Sequence, residues 1–117
     1  EYYRITTNIS TAIEYQLIEE EKVQLPQPIP ITVKNLSCGG MMFATSGDFK
    51  EGDQYQVTLE LDQIPLIVRF KILRKESKDQ TYFYGVLFLN NTPQKEDIIY
   101  GYINRLQKQE IKKLNKL

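Results

Sequence analysis

Residues 29–45 read IPITVKNLSCGGMMFAT, and this stretch carries the signals that decide the fold. In its first part apolar and polar residues nearly alternate, which predicts a strand over 31–36. Gly39 and Gly40 can adopt backbone angles that are closed to other residues, so together they predict a turn. A second apolar run follows and predicts a strand over 41–45. The stretch therefore indicates two sequential strands joined by a tight connection.

Similar patterns recur on both sides of this pair. Gln54 begins the run QYQVTLEL, whose strict alternation is typical of a strand with one solvated face. The prolines of LPQPIP predict a stiff extended connector before residue 31, because each fixes its own backbone angle. Alternation after Pro65 assigns Arg74 to the face that mostly packs inward. Near the end of its strand, Arg74 could face a binding site, but a surface ion pair is the favoured role. In addition to the pair above, strands are predicted at 11–18, 54–61, 66–75 and 81–89. Gly85, inside the last of these, indicates a bulge or a close backbone approach.

The C-terminal part is predicted to be a helix. Thr92 is a suitable N-cap, Pro93 suits the first turn, and acidic residues follow near the positive end of the helix dipole. Ile99 and Ile103 then repeat at helical spacing. Six antiparallel strands followed by one helix predict a mainly β fold, a small six-stranded antiparallel barrel with a C-terminal α-helix. We expect a single domain with an N-terminal arm at 1–10, the barrel at 11–90 and the helix at 92–117.

The composition excludes several classes of function. The 117-residue chain has no histidine and one cysteine, Cys38, so imidazole catalysis, disulfides and the usual zinc sites are not expected, and no metal is predicted. Its formal net charge is zero, which argues against a nucleic-acid polymer as partner. No apolar run approaches the length of a membrane span, so we expect a cytoplasmic protein without membrane insertion. Nothing in the sequence resembles a nucleophile–base pair, so no enzymatic activity is expected.

Two interpretations apply to the polar residues of NLSCGG. Asn35 and Ser37 would point the same way on a strand, and with the glycines they could form a polar nest for an anion or the edge of a heterocycle. Alternatively, both side chains could satisfy backbone groups of their own turn.

Several motifs resemble those of the PilZ domain family. NLSCGG matches the family signature Asn/Asp-x-Ser-x-x-Gly with Asn35, Ser37 and Gly40, and YGVLF at 84–88 resembles the Gly-Val-x-Phe of its last strand. Arg4 in EYYRI fits the second arginine of the Arg-x-x-x-Arg signature, whose first arginine would fall one residue before Glu1. EGDQYQVTLEL is similar to the family's Gly-Asp strand opening.

The resemblance implies a receptor for cyclic di-GMP, a bacterial second messenger, with the N-terminal arm closing over the ligand. The binding residues that it implies are Arg4, Asn35, Ser37, Gly39 and Gly40. It implies no cofactor besides this ligand. A guanidinium can clamp a phosphate or stack on a purine, whereas an amide can both donate to and accept from a guanine edge. The output would pass to a motility or polysaccharide-synthesis partner.

Other possibilities remain open at this stage. A degenerate PilZ-like module could bind no nucleotide and serve only as a protein-interaction scaffold. Aromatic residues at 2, 3 and 82–84 could be stacking platforms for single-stranded nucleic acid, although core packing is the commoner role. The helix could mediate a homodimer, and a flagellar-brake type barrel is expected before residue 1.

Overall fold

The structure, a computed structural model, describes residues 4–115 and consists of a closed six-stranded barrel followed by one helix. All strand pairs are antiparallel, in the order β1-β2-β3-β6-β5-β4, and β4 pairs with β1 to close the barrel. The fold class predicted from the sequence is therefore confirmed. The elements are β1 Ile5–Ile18, β2 Glu21–Leu36, β3 Gly40–Thr45, β4 Gln54–Leu61, β5 Ile64–Lys78, β6 Thr81–Leu89 and α1 Pro93–Asn115.

Three of the hairpins have the same two-residue turn. Both central residues of each turn have φ between 51° and 69°, although none is glycine. Two consecutive positive φ values define a type I′ turn, whose twist matches that of the strands it joins. These turns connect β1 to β2, β4 to β5 and β5 to β6, at Glu19-Glu20, Asp62-Gln63 and Asp79-Gln80.

Two strand boundaries differ from the sequence-based predictions. Strand β1 begins at Ile5, so the predicted arm at 1–10 is largely strand, and its residues 1–3 lie outside the described part of the chain. Strand β2 begins at Glu21 and includes the proline segment that was predicted as a connector. The pairing of β1 with β2 is interrupted between Ile13↔Ile29 and Tyr15↔Gln24, which leaves Pro26 and Pro28 unpaired. Extended prolines fit there because they have no N–H to donate to the ladder.

The barrel is filled by aromatic and aliphatic side chains from every strand. Phe43, Phe70 and Tyr84 are fully buried, and Phe43 lies 5.6 Å from Phe70 and 5.4 Å from Tyr84 between ring centroids. The Tyr84 hydroxyl accepts a hydrogen bond from the Phe49 amide at 2.7 Å and donates to the Gly47 carbonyl at 2.8 Å. One core side chain therefore also fixes the loop between β3 and β4.

Helix α1 packs its N-terminal half against the barrel. The Thr92 hydroxyl accepts a hydrogen bond from the Lys95 amide at 3.2 Å, which confirms the predicted N-cap. Ile99 and Ile103 are 0% and 3% exposed, respectively, and belong to the core. Beyond Gln107 every described side chain is exposed, so the C-terminal half of α1 extends away from the barrel.

Candidate functional site

One row of residues crosses five strands on the outer surface of the barrel. The strand register pairs Thr6 with Asn35, Asn35 with Met42, Met42 with Gly85, and Gly85 with Arg74. All five are exposed or partly exposed. The adjacent row is buried and belongs to the core; it comprises Ile5, Leu36, Met41, Val86 and Ile72. Residues more than 60 positions apart in the sequence thus form one continuous strip.

A β-bulge turns Arg74 towards this strip. Ile72 pairs with Val86 and Arg74 with Gly85, so β5 has Leu73 as an extra residue opposite β6. A bulge changes the side on which the following side chains lie. Arg74 is exposed rather than inward-facing, so the face assigned to it by simple alternation was wrong.

The side chain of Arg74 lies across Gly85. A Cβ placed on Gly85 would lie 2.7 Å from Arg74 Nε, 3.0 Å from its Cγ and 3.2 Å from its Cζ. A side chain at position 85 would therefore displace that of Arg74. The sequence indicated a bulge or a close backbone approach at Gly85, and the group that approaches it is this side chain. The bulge itself lies on β5, opposite Gly85.

Arg4 and Arg74 line the same surface depression. Its volume is about 60 Å³, and its lining consists of Arg4, Met41, Leu73, Arg74, Gly85 and Val86. Arg4 immediately precedes β1, whose first residue, Ile5, pairs with Leu36 of β2. Two arginines, one from β5 and one that precedes β1, therefore line one depression although β1 and β5 are not neighbouring strands.

Neither arginine is neutralised by a carboxylate in the described part of the chain. The ion pairs found between residues 4 and 115 join Lys75 to Asp48 and Arg105 to Asp62. The surface ion pair favoured for Arg74 is thus not formed with a described residue. An uncompensated pair of guanidinium groups provides an attractive field for an anion, and planar guanidinium groups can bind phosphate oxygens in bidentate fashion.

In the turn after β2, the Ser37 hydroxyl forms hydrogen bonds with the backbone of the turn itself. The Ser37 hydroxyl accepts hydrogen bonds from the amides of Gly39 and Gly40 at 3.3 and 3.2 Å, and donates to the Gly40 carbonyl at 3.3 Å. Ser37 is 6% exposed. Strand β2 ends at Leu36, so the strand alternation that would place Ser37 beside Asn35 does not apply. Asn35 remains on the outer strip, half-buried, while Ser37 shapes the turn next to it.

Gly39 and Gly40 do not serve the turn through the unusual backbone angles that glycine can adopt. Among the described residues, the glycine with positive φ is Gly52, at 93°, so the turn does not require left-handed angles at Gly39 or Gly40. A Cβ on Gly40 would lie 2.1 Å from the carbonyl oxygen of Val86. Gly40 is therefore needed for close pairing of β3 with β6. The Gly39 carbonyl accepts a hydrogen bond from the Phe88 amide at 2.9 Å.

Cys38 has no features of a reactive thiol. It is 8% exposed, and burial, together with the charges of Glu96 and Asp97, raises the pKa of its thiol. A raised pKa reduces the thiolate fraction, which is the nucleophilic form. Between residues 4 and 115 no group of three or more histidine, cysteine, aspartate or glutamate side chains is arranged to hold a metal ion.

The aromatic residues considered as stacking platforms have different surroundings. Tyr2 and Tyr3 lie outside the described residues. Tyr84 is fully buried, while Tyr82 is half-buried with the Lys75 ammonium 4.5 Å from its ring centroid. Within the described part of the chain, they do not form one exposed stacking surface.

The described portion of the chain contains no helix that is both long and apolar enough to span a membrane.

Sequence reasoning identified part of this site. Arg4 and Asn35 were predicted as site residues, and the structure places both at the strip. Thr6 and Met42 were not predicted, and Arg74 was considered for the site but assigned to a surface ion pair, because these residues join the site through strand register and through the bulge. Gly85 also gave a signal, because its position within a strand indicated a bulge or a close backbone approach.

Comparison with solved structures identifies proteins of the same fold. The chain is similar to YcgR from Escherichia coli in complex with c-di-GMP, with a TM-score of 0.80, 19% identity, and coverage of 99% of this chain and 49% of that one. The chain thus spans about half the length of that YcgR chain. The isolated PilZ domain of YcgR with c-di-GMP gives a TM-score of 0.72 at 18% identity, with coverage of 100% of this chain and 98% of that one.

A further structural relative is the inhibitor of motility MotI/DgrA from Bacillus subtilis. Its TM-score is 0.73 at 14% identity, with coverage of 93% of this chain and 51% of that one. Comparison with curated protein sequences finds no match. The sequence model of the PilZ domain matches residues 1–105, which is most of the chain. This chain belongs to the PilZ domain family.

Proposed function

We propose that this domain is a non-enzymatic receptor for cyclic di-GMP and that the ligand binds on the outer strip. The observation that carries the proposal is the position of Asn35 on the same strip as Arg74, with Arg4 and Arg74 lining one depression and lacking carboxylate partners among the described residues. The membership in the PilZ family and the two YcgR structures with c-di-GMP support the identity of the ligand.

The chemistry of the strip suits this ligand. Cyclic di-GMP has two phosphates and two guanines, so it offers anionic groups for guanidinium donors and hydrogen-bonding edges for an amide. A depression of about 60 Å³ is much smaller than a typical ligand pocket of several hundred Å³. The dinucleotide would therefore lie over the strip, with only a small group entering the depression.

The proposed roles differ among the residues predicted from the sequence. Arg4 would contact a phosphate or a guanine, and Asn35 would bind a guanine edge. Ser37, Gly39 and Gly40 would form the turn beside the ligand, where a contact from the Ser37 hydroxyl would require it to exchange one of its present partners. The segment that includes Arg4 would close over the ligand, since a ligand favours the state in which it gains contacts.

The output would be a protein partner. Motility is the process named for the MotI/DgrA relative, and a motility or polysaccharide-synthesis partner is the one we propose for this chain. The exposed apolar residues Ile111 and Leu114, 52% and 69% exposed, provide a contact surface on α1 for such a partner or for a second copy.

The test is calorimetric titration of the chain with cyclic di-GMP at two salt concentrations. We expect saturable binding that weakens at high salt, because exposed charges are screened. Replacement of Arg4 with alanine should weaken binding by about 1.5–3 kcal/mol, the range for hydrogen bonds to charged groups, and should reduce the salt dependence.

A matched control is Lys78→Ala, which removes one exposed positive charge from β5 away from the strip. Its affinity should stay within about threefold of the unchanged chain. If the unchanged chain and a chain with an arginine added before Glu1 both fail to bind, the receptor proposal is wrong and the interaction scaffold becomes the better hypothesis.

A further inference from the structure

We propose that Arg74 is a direct ligand contact and that the bulge at Leu73 together with Gly85 holds its guanidinium in place for this purpose. The inference rests on the proposed binding of cyclic di-GMP and adds a specific residue from β5 to the site. Nothing in the sequence motifs of the strip marks Arg74 as a binding residue. Its assignment comes from the strand register, the bulge and the contact with Gly85.

The first argument is orientation. In a regular strand without the bulge at Leu73, alternation would direct Arg74 into the barrel together with Phe70 and Ile72, which are 0% and 1% exposed. An arginine there would be a buried charge without a partner, which is strongly unfavourable. The bulge instead places Arg74 on the outer surface opposite Gly85, at the end of the strip that contains Asn35.

The second argument is fixation of the side chain. The Arg74 chain lies over the one residue of β6 that has no Cβ, and the closest approach, from the ideal Cβ position to Nε, is 2.7 Å. Any larger residue at position 85 would displace the guanidinium group. A long side chain confined in this way loses less conformational entropy when it binds a ligand.

The third argument is electrostatic. The neighbouring Lys75 is paired with Asp48, whereas Arg74 has no carboxylate partner among residues 4–115. Arg74 also lines the depression to which Arg4 contributes. Two arginines that line one depression match a doubly charged ligand, which carries one phosphate for each of them.

The experiment is a double-mutant cycle on the whole chain, with cyclic di-GMP affinity measured by calorimetry. Arg74→Ala should weaken binding about ten- to a hundredfold, as expected for loss of charge-assisted hydrogen bonds. Arg74→Lys keeps the charge but loses the planar fork, so its affinity should fall between those of the unchanged chain and Arg74→Ala. Lys78→Ala serves as the charge-matched control and should bind like the unchanged chain.

Gly85→Ala tests the fixation of the guanidinium without removing any charge. It should weaken binding in the unchanged chain but have no further effect when Arg74 is already alanine, because its effect acts through that side chain. Circular dichroism monitors folding of each variant. If Gly85→Ala fails to fold, the two substitutions of exposed Arg74 still decide the question.

The outcomes separate this inference from the proposed function. If the unchanged chain binds cyclic di-GMP and Arg74→Ala binds equally well, the Arg74 contact is wrong while the receptor function stands. If Gly85→Ala weakens binding equally with and without Arg74, the positioning role of Gly85 is wrong. If neither the unchanged chain nor the chain with an arginine added before Glu1 binds, both the function and this inference are overturned.

Discussion

At the scale of single residues, the polar motif NLSCGG contains two different kinds of residue. Asn35 lies on the outer strip, and the hydrogen bonds found between described side chains do not include its amide. Ser37 is buried and makes three hydrogen bonds within its own turn. The two signature residues therefore have different roles: the Asn35 amide is available to a ligand, whereas the Ser37 hydroxyl stabilises the backbone of its turn.

This difference gives a prediction for two alanine variants. Asn35→Ala should weaken cyclic di-GMP binding by about 1–3 kcal/mol, the cost of an unpaired polar group at the site, and should change the free energy of unfolding by less than about 0.5 kcal/mol. Ser37→Ala should lower the free energy of unfolding by about 1–3 kcal/mol, because the buried Gly40 amide and the partly buried Gly39 amide lose their acceptor. Titration and urea unfolding of both variants provide the measurements; unchanged stability of Ser37→Ala would contradict the role in the turn.

Tyr84 gives a second prediction at this scale. Its hydroxyl bridges the Phe49 amide and the Gly47 carbonyl, and its ring is fully buried. Tyr84→Phe keeps the ring but leaves two backbone groups without this partner, so the free energy of unfolding should fall by about 1–3 kcal/mol. Tyr82→Phe is the matched control, since the ring of Tyr82 is only half-buried, and should change stability by less than about 0.5 kcal/mol. Equal urea midpoints for the two variants would disprove the bridging role.

At the scale of elements, irregularities position the site. The bulge in β5 turns Arg74 outward, and a register shift between Val33 and Asn35 in the pairing of β2 with β3 lies next to Asn35. Both irregularities border the same strip, whereas β4 pairs with β5 without a break from Gln54↔Lys71 to Leu61↔Ile64. The regular hairpin contributes to the core, and the irregular strands present the candidate binding groups.

Helix α1 gives the prediction for this scale. Ile103→Ala should lower the free energy of unfolding by about 2–5 kcal/mol, because it creates a cavity where a side chain that is 3% exposed now packs. Ile111→Ala, at a site that is 52% exposed, should change it by less than about 0.5 kcal/mol. Hydrogen exchange should likewise be slow near Ile103 and fast beyond Glu110. Protection of the C-terminal half that depends on protein concentration would instead reveal self-association through α1.

At the scale of the whole molecule, the closed barrel links the strip to overall stability. The residues of the candidate site come from β1, β2, β3, β5 and β6, together with Arg4 before β1. No single hairpin therefore contains the site. A ligand that binds only this arrangement must stabilise the folded state as a whole, since unfolding destroys the arrangement.

We therefore expect cyclic di-GMP to raise the free energy of unfolding. At a free concentration one hundred times the dissociation constant, the gain should be about 2.7 kcal/mol, measured by urea unfolding with and without ligand. Asn35→Ala should show a smaller gain at the same ligand concentration, and guanosine monophosphate at that concentration should produce a smaller gain still. Equal stabilisation by both nucleotides would contradict recognition of the dinucleotide.

The sequence by itself determined the elements and much of the family signature. Alternation in QYQVTLEL predicted β4, and the aromatic and β-branched residues of TYFYGVLFL predicted β6, both with the bounds that the structure has. The Thr92 N-cap was also predictable, since its hydrogen bond joins residues only three positions apart.

Only the tertiary structure decided which groups meet at the candidate site. Arg4, Asn35 and Arg74 lie on one side of the barrel because of the strand order and register. These are set by packing of the whole barrel and not by local spacing. One extra residue in β5 was enough to reverse the face of Arg74, and the pattern of apolar residues around it gave no sign of the insertion. Likewise, Gly40 is constrained by the Val86 carbonyl of a distant strand, a contact that no local conformational preference predicts.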